Sequence, residues 1–105
     1  MKVLVCGDRN WMNRERIFEV LKELPKDSII IQGGCTGVDM LAEELGKKLG
    51  FNVETFSADW NSYGKAAGPI RNQQMLDEGK PNVVYAFHSN IEKSRGTKDM
   101  VDRAV

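Results

Sequence analysis

Two short, unbroken apolar runs, each leading straight into a glycine turn, constrain the fold most. Val3-Leu4-Val5-Cys6 leads into Gly7-Asp8-Arg9, and Ser28-Ile29-Ile30-Ile31 leads into Gln32-Gly33-Gly34. A strand with one wet face alternates apolar and polar residues. A continuous run needs cover on both faces, as in a parallel sheet between helix layers. Helical spacing follows each turn. Asn13 is an expected N-cap, with Met12 and Ile17 placed for a hydrophobic staple across it. Ile17, Phe18, Leu21 and Leu24 form a stripe that Pro25 ends. Val38, Leu41, Ala42, Leu45 and Leu49 form a second stripe.

Residues 51–56 mix apolar with polar side chains, which predicts a strand with a wet face or edge. Residues 57–68 read as a long loop containing glycine and aromatic residues. A short helix is expected from Pro69, which suits a first helical position, to near Gly79. Residues 82–87 read as a fourth strand, and Gly96-Thr97 opens a last helix with Met100, Val101 and Ala104 on one face. Strand and helix therefore alternate throughout. The expected fold is α/β: a Rossmann-like three-layer sandwich on a four-stranded parallel sheet of order 3-2-1-4, with right-handed crossovers. Ligands on such sheets bind beyond the carboxyl ends of the strands. The unusual residues of this chain follow strands, which places them there.

At 105 residues the chain reads as one domain. Fifteen basic residues balance fifteen acidic ones, so no global field attracts polyanions. This speaks against a dedicated duplex-DNA binder, although Arg9, Arg14 and Arg16 form a local basic cluster. Two cysteines do not make a disulfide framework. Cys6 reads as core, and Cys35 lies in a glycine loop with nothing else to form a thiol-based site. The first apolar run is too short for a signal peptide or membrane span, so the expected compartment is the cytosol. His88 is the single histidine, at the end of the fourth strand, and without clustered ligands no transition-metal site is expected.

Each candidate site residue has a functional and a plain structural reading. Gln32-Gly33-Gly34-Cys35-Thr36-Gly37-Val38-Asp39 offers close backbone approach and a helix start to an anion. The plain alternative is a turn with a Thr36/Asp39 capping box. The spacing fits neither the P-loop nor the dinucleotide fingerprint, and no cofactor is called for. Ser94-Arg95-Gly96-Thr97-Lys98-Asp99 is a second such turn, with Thr97 as an ordinary N-cap in the plain reading. In the long loop and the helix start that follows it, Asp59, Trp60, Arg71 and Asn72 stand out. Arg71 is expected in a first helical turn, where the macrodipole disfavours a cation; a bound anion, or a salt bridge to Asp59 or Asp77, would resolve that. Trp60 offers a surface for a base or a cap for the loop. Gly7, Arg9 and Trp11 follow the first strand. Arg9 can fork onto phosphate oxygens or lie on the surface, and Trp11 can wall a pocket or plug the sheet end.

Five segments together carry a family resemblance: Gly7-x-Arg9-x-Trp11; Gly33-Gly34-x-x-Gly37-x-Asp39-x-x-Ala42; Ala58-Asp59-Trp60; Gly64-x-x-Ala67-Gly68-Pro69-x-Arg71-Asn72-x-x-Met75; and Gly96-Thr97-x-Asp99-Met100. They resemble the YspA-like branch of the SLOG superfamily, named for DNA-processing protein A and the LONELY GUY enzymes. The resemblance implies a Rossmann-like fold, sometimes with a fifth strand, and a nucleotide or ADP-ribose-like ligand. LONELY GUY enzymes are phosphoribohydrolases with a glutamate after their glycine–threonine turn. The matching position here is Met100, with Asp99 one place earlier. Asp99, one residue off that register, is expected to face away and serve the helix dipole.

The sequence therefore predicts a nucleotide-binding module, a sensor or sequestering protein, that self-associates. The alternative is a phosphoribohydrolase with Arg71 on phosphate and Asp99 as acid/base. A single-strand nucleic-acid binder would need a basic groove that the balanced charge does not supply.

Overall fold

Strand β1 (Lys2–Gly7) is central because its side chains serve two cores. Val3 and Val5 enter one, and Leu4 and Cys6 the other. In the computed structural model, which describes residues Met1–Val105, β1 pairs in parallel with β2 (Ile29–Gln32) on one side and β4 (Val83–Phe87) on the other. Strand β3 (Asn52–Thr55) pairs with β2, giving the order β3-β2-β1-β4 in a four-stranded sheet. Fold class and strand order are those the apolar runs predict.

Helices α1 (Arg14–Lys22) and α2 (Val38–Lys48) cover one face. Ile17, Leu21, Val38, Ala42 and Leu45 pack there on Val3, Val5 and Ile30. The other face receives Met75 from the π turn (Met75–Gly79) that ends α4 (Ala67–Gln74), and Met100 from α5 (Gly96–Ala104). Burial of each of the valine, leucine, isoleucine and methionine side chains among these stabilises the sandwich by roughly 1.5–3 kcal/mol.

Three local expectations are corrected. Asn13 does cap α1, accepting from the Arg16 N–H at 3.2 Å, but Met12 is 88 % exposed and no staple forms. Trp11 braces the entry to α1 differently: it packs edge-on against Phe87 at 5.8 Å and donates its indole N–H to the Asn13 carbonyl. Phe18 leaves the α1 stripe and faces out under Lys22. The expected loop at 57–68 is largely helical. Asp59 caps a short helix α3 (Trp60–Tyr63) through the Ser62 N–H, and a 3₁₀ turn (Gly64–Ala66) leads into α4.

Candidate functional site

The α4 boundary decides where Arg71 lies. The helix starts at Ala67, so Pro69 is its third residue, where an N–H would have no intrahelical partner anyway. Arg71 falls in the last turn, not the first, and the expected conflict with the dipole does not arise. Neither Asp59 nor Asp77 pairs with it; Asp77 accepts from Gln73. Arg71 crosses instead to the β2–α2 turn. Its Nη1 donates to the Gly33 carbonyl at 2.7 Å and approaches Cys35 Sγ at 3.8 Å, while Nε donates to Asn72 Oδ1 at 3.0 Å. The residue is 8 % exposed, and no carboxylate lies within 4.0 Å of it. A buried charge held only by neutral partners costs several kcal/mol relative to a paired one.

The β2–α2 turn is packed from within. A Cβ on Gly33 would overlap the Arg71 guanidinium. Gly37 has φ +76°, and a Cβ there would strike the backbone of Asp8 and Arg9. These glycines therefore bring Arg71 and the β1–α1 loop against the turn. The expected Thr36/Asp39 capping box is absent: Gly37 is the N-cap, and Thr36 is exposed. Asp39 turns back and accepts from the N–H groups of Gly33 and Cys35, both at 3.2 Å. Burial pushes its carboxyl up to about 6, against the Cys35 N–H, the Arg71 charge and the Gly33 N–H.

The second turn is open. No atom lies within 4 Å of where a Gly96 Cβ would stand. Ser94 Oγ, not Thr97, accepts at the start of α5, from the Thr97 N–H at 3.0 Å. Asn72 joins this turn to Arg71, donating to the Gly96 carbonyl at 3.2 Å and to Asp99 Oδ2 at 2.9 Å. The same Asp99 oxygen accepts from Arg103 at 2.8 Å. Burial pushes the Asp99 carboxyl up, but the Arg103 and Asn72 hydrogen bonds outweigh it and hold it below its ordinary value. Asp99 does not face away; it lines the cavity described next.

That cavity, of about 650 Å³, lies beyond the carboxyl ends of the strands. Of the residues singled out in the sequence, Gly7, Arg9, Asp39, Trp60, Arg71 and Asn72 line it, joined by Gly96, Thr97 and Asp99. Trp11, Gly33, Gly34, Thr36, Gly37 and Asp59 do not. Trp60 is 53 % exposed, so it caps no core. Five cationic side chains (Arg9, Lys65, Arg71, Lys93, Arg95) face three carboxylates (Asp8, Asp39, Asp99). None of the five forms an ion pair, whereas six of the ten lysines and arginines elsewhere do. An electrically balanced chain thus concentrates free positive charge in one place.

The sequence profile of the YspA, cpYpsA-related SLOG family matches residues 1–63, from β1 through α3. The chain belongs to this family. Gene 61 protein of Mycobacterium phage D29 is similar to it, 32% identical over 112 residues, which cover 98% of this chain and 87% of the relative. No solved structure matches. Membership in the SLOG family fits binding or processing of a nucleotide-related ligand in general. No helix is long and apolar enough to cross a membrane.

Of the charged residues of this SLOG cavity, Asp8, Lys65 and Arg95 lay in the segments singled out without being chosen as site residues, and Lys93 was missed altogether. Asp8 carried a signal, since it directly follows β1. Its backbone carbonyl accepts from the N–H groups of Trp11 and Val38, and its Oδ1 accepts from the Asn10 N–H. His88, from the end of β4, also lines the cavity. Its Nδ1 accepts from the Asn90 N–H at 2.9 Å, which leaves the proton on Nε2, 4.0 Å from Asp8 Oδ2. Lys93 ends a 3₁₀ turn (Ile91–Lys93) that no sequence periodicity marks, and Arg95 follows it by two residues.

Proposed function

We propose that the chain binds a nucleotide or nucleotide-derived, ADP-ribose-like ligand at the carboxyl edge of the sheet, as a cytosolic sensor or sequestering module. The observation that carries this reading is Arg71: a buried guanidinium with neutral partners only, beside a cavity whose other cations are also unpaired. A phosphate would supply the direct ion pair that Asp39, which acts on Arg71 only through space, does not, and a guanidinium fork suits its oxygens. The volume is within the usual range of about 300–1,000 Å³ for small-molecule sites. Trp60 on the wall offers an aromatic face to a base. Self-association belongs to the same proposal. Strand β4 pairs only with β1, so its other edge is free for a second copy.

Asp99 supports a second reading, cleavage of an N-glycosidic bond in a nucleoside monophosphate. Its Oδ1 has no partner and the residue lines the cavity. A carboxylate held ionised cannot donate a proton to a leaving base, which favours binding over turnover. The test is incubation with nucleoside monophosphates and ADP-ribose, with calorimetry for binding and chromatography for free base. Binding without base release is expected. Multiple turnovers, abolished by Asp99→Asn with binding retained, would establish the hydrolase instead, and no binding of any member would overturn both.

A further inference from the structure

The register of the sheet brings a second pair of polar side chains to the cavity. Gly7 at the end of β1 pairs with Phe87 at the end of β4, so Asp8 and His88 leave the sheet side by side. The Asp8 N–H donates to the Phe87 carbonyl at 2.9 Å, which carries the pairing one step past the strands. Both side chains line the cavity, and each is anchored by the backbone N–H two residues on. Asp8 Oδ1 accepts from Asn10 at 2.8 Å, and His88 Nδ1 accepts from Asn90 at 2.9 Å. The outer atoms, Asp8 Oδ2 and His88 Nε2, then stand 4.0 Å apart, too far for a direct hydrogen bond. One is an acceptor only, and the other carries an N–H. The two side chains are 21% and 15% exposed, so leaving these atoms unpaired costs free energy. We propose that Asp8 and His88 form a subsite for the vicinal hydroxyls of a ribose, and that the cavity therefore takes ribonucleotides in preference to deoxyribonucleotides.

The chemistry suits a pair of hydroxyls. A hydroxyl both donates and accepts, so one can donate to Asp8 Oδ2 while its neighbour accepts from His88 Nε2. Cis hydroxyls on adjacent ring carbons lie closer together than the 4.0 Å gap, so two ordinary hydrogen bonds span it. A phosphate does not suit this place. The Asp8 carboxylate repels it and pairs with no lysine or arginine that would offset the repulsion. Phosphate on Arg71 and hydroxyls on Asp8 and His88 would divide one cavity between the charged and the neutral parts of a nucleotide. A site that hydrogen-bonds a hydroxyl rejects the analogue lacking it, because its own polar groups are then left unpaired.

That the ribose belongs to a nucleotide rests on the reading under Proposed function; the hydroxyl site itself does not. It is therefore read first with a sugar that carries neither base nor phosphate. His88 is the chain's single histidine, so its imidazole resonances report on this place alone. Titration with methyl β-D-ribofuranoside should move them to saturation, and the 2-deoxy sugar should leave them unmoved. Resonances unmoved by both sugars, or moved equally, overturn the proposal. Calorimetry with AMP, 2′-deoxy-AMP and 3′-deoxy-AMP follows. Loss of either hydroxyl should weaken binding about tenfold or more in the wild type. In Asp8→Ala the three affinities should converge to within about twofold. His88→Ala should do the same, and it keeps the test decisive if the first variant does not fold. Equal affinities in the wild type, or an unchanged preference in a folded variant, overturn the proposal. If AMP does not bind, the sugar titration alone decides the hydroxyl site. If ADP-ribose does not bind either, the ligand reading fails separately.

Discussion

The two ends of the sheet are built from the same strands and solve opposite problems. At the carboxyl end lie five of the six buried polar residues: Gln32, Asp39, Arg71, Asn72 and Thr97; only Ser28 is at the other end. Hydrogen bonds there run from Gly33 through Arg71 and Asn72 to Asp99. The amino end has an apolar groove of about 500 Å³, with Leu76, Val83, Val84 and Val101 on its walls and Lys80 at its side. A core of this size could be sealed at both ends by aliphatic side chains. That one end instead holds a buried guanidinium with no carboxylate within 4.0 Å fits the anion site proposed there. The amino end, with the free edge of β4 beside it, suits contact with another apolar surface.

The largest effect expected from this contrast concerns Asp39. Its folded value is raised, from 3.8 to about 6, so the folded state binds the proton more tightly than the unfolded chain. Its contribution to stability is full below the unfolded value and is lost as pH rises through the folded one. The span is on the order of 3 kcal/mol. Melting curves of the wild type and Asp39→Asn between about pH 3.5 and 7.5 should therefore diverge. The wild type loses stability, relative to the variant, as pH rises. Parallel curves would mean that the carboxyl end carries no such strain.

Next in size is Arg71→Ala. Affinity for ADP-ribose should fall about 100-fold, or about 2.7 kcal/mol, with the circular-dichroism spectrum retained. Val101→Ala, in the amino-end groove, should leave affinity within about twofold. Equal losses in both variants would erase the distinction between the ends.

How far this was legible in the sequence differs between the two glycine turns. Gly33-Gly34-Cys35-Thr36 and Ser94-Arg95-Gly96-Thr97 both place glycine and threonine between a strand and the helix that follows it, and local pattern treats them alike. The difference is tertiary. The first turn is filled by Arg71, 38 residues away in the chain, and by the β1–α1 loop; the second is left open. Strand order, by contrast, was legible because continuous apolar runs admit few arrangements. The α3–α4 segment was misread for a reason in its residues. Gly64, Gly68 and Pro69 are turn formers, and here Gly68 and Pro69 sit in the first turn of a helix, where they are tolerated. That shift of two residues moved Arg71 from the first turn to the last. It also changed the argument for its role, from helix dipole to missing counter-ion.

Smaller effects should follow at the rim and at the far end. Trp60→Ala should weaken ADP-ribose binding about fivefold, or about 1 kcal/mol, if a base stacks on the exposed indole. Unchanged affinity by calorimetry would leave Trp60 a surface residue. The smallest effect on the ligand is expected from Val83→Lys. A charge at the start of β4 should convert a dimer to monomer in sedimentation and leave affinity within about twofold. A wild-type chain that sediments only as monomer at micromolar concentration would remove the proposed role of that end.

The most direct test of the contrast follows both ends at once. Nitrogen-15 labelled protein is titrated with ADP-ribose, and backbone amide shifts are mapped. The account predicts the largest shifts at the Gly33–Asp39 and Gly96–Asp99 turns and at Arg71, with Val83, Val84 and Val101 unmoved. Shifts centred on the amino-end groove, or no shifts at either turn at saturating ligand, would contradict it.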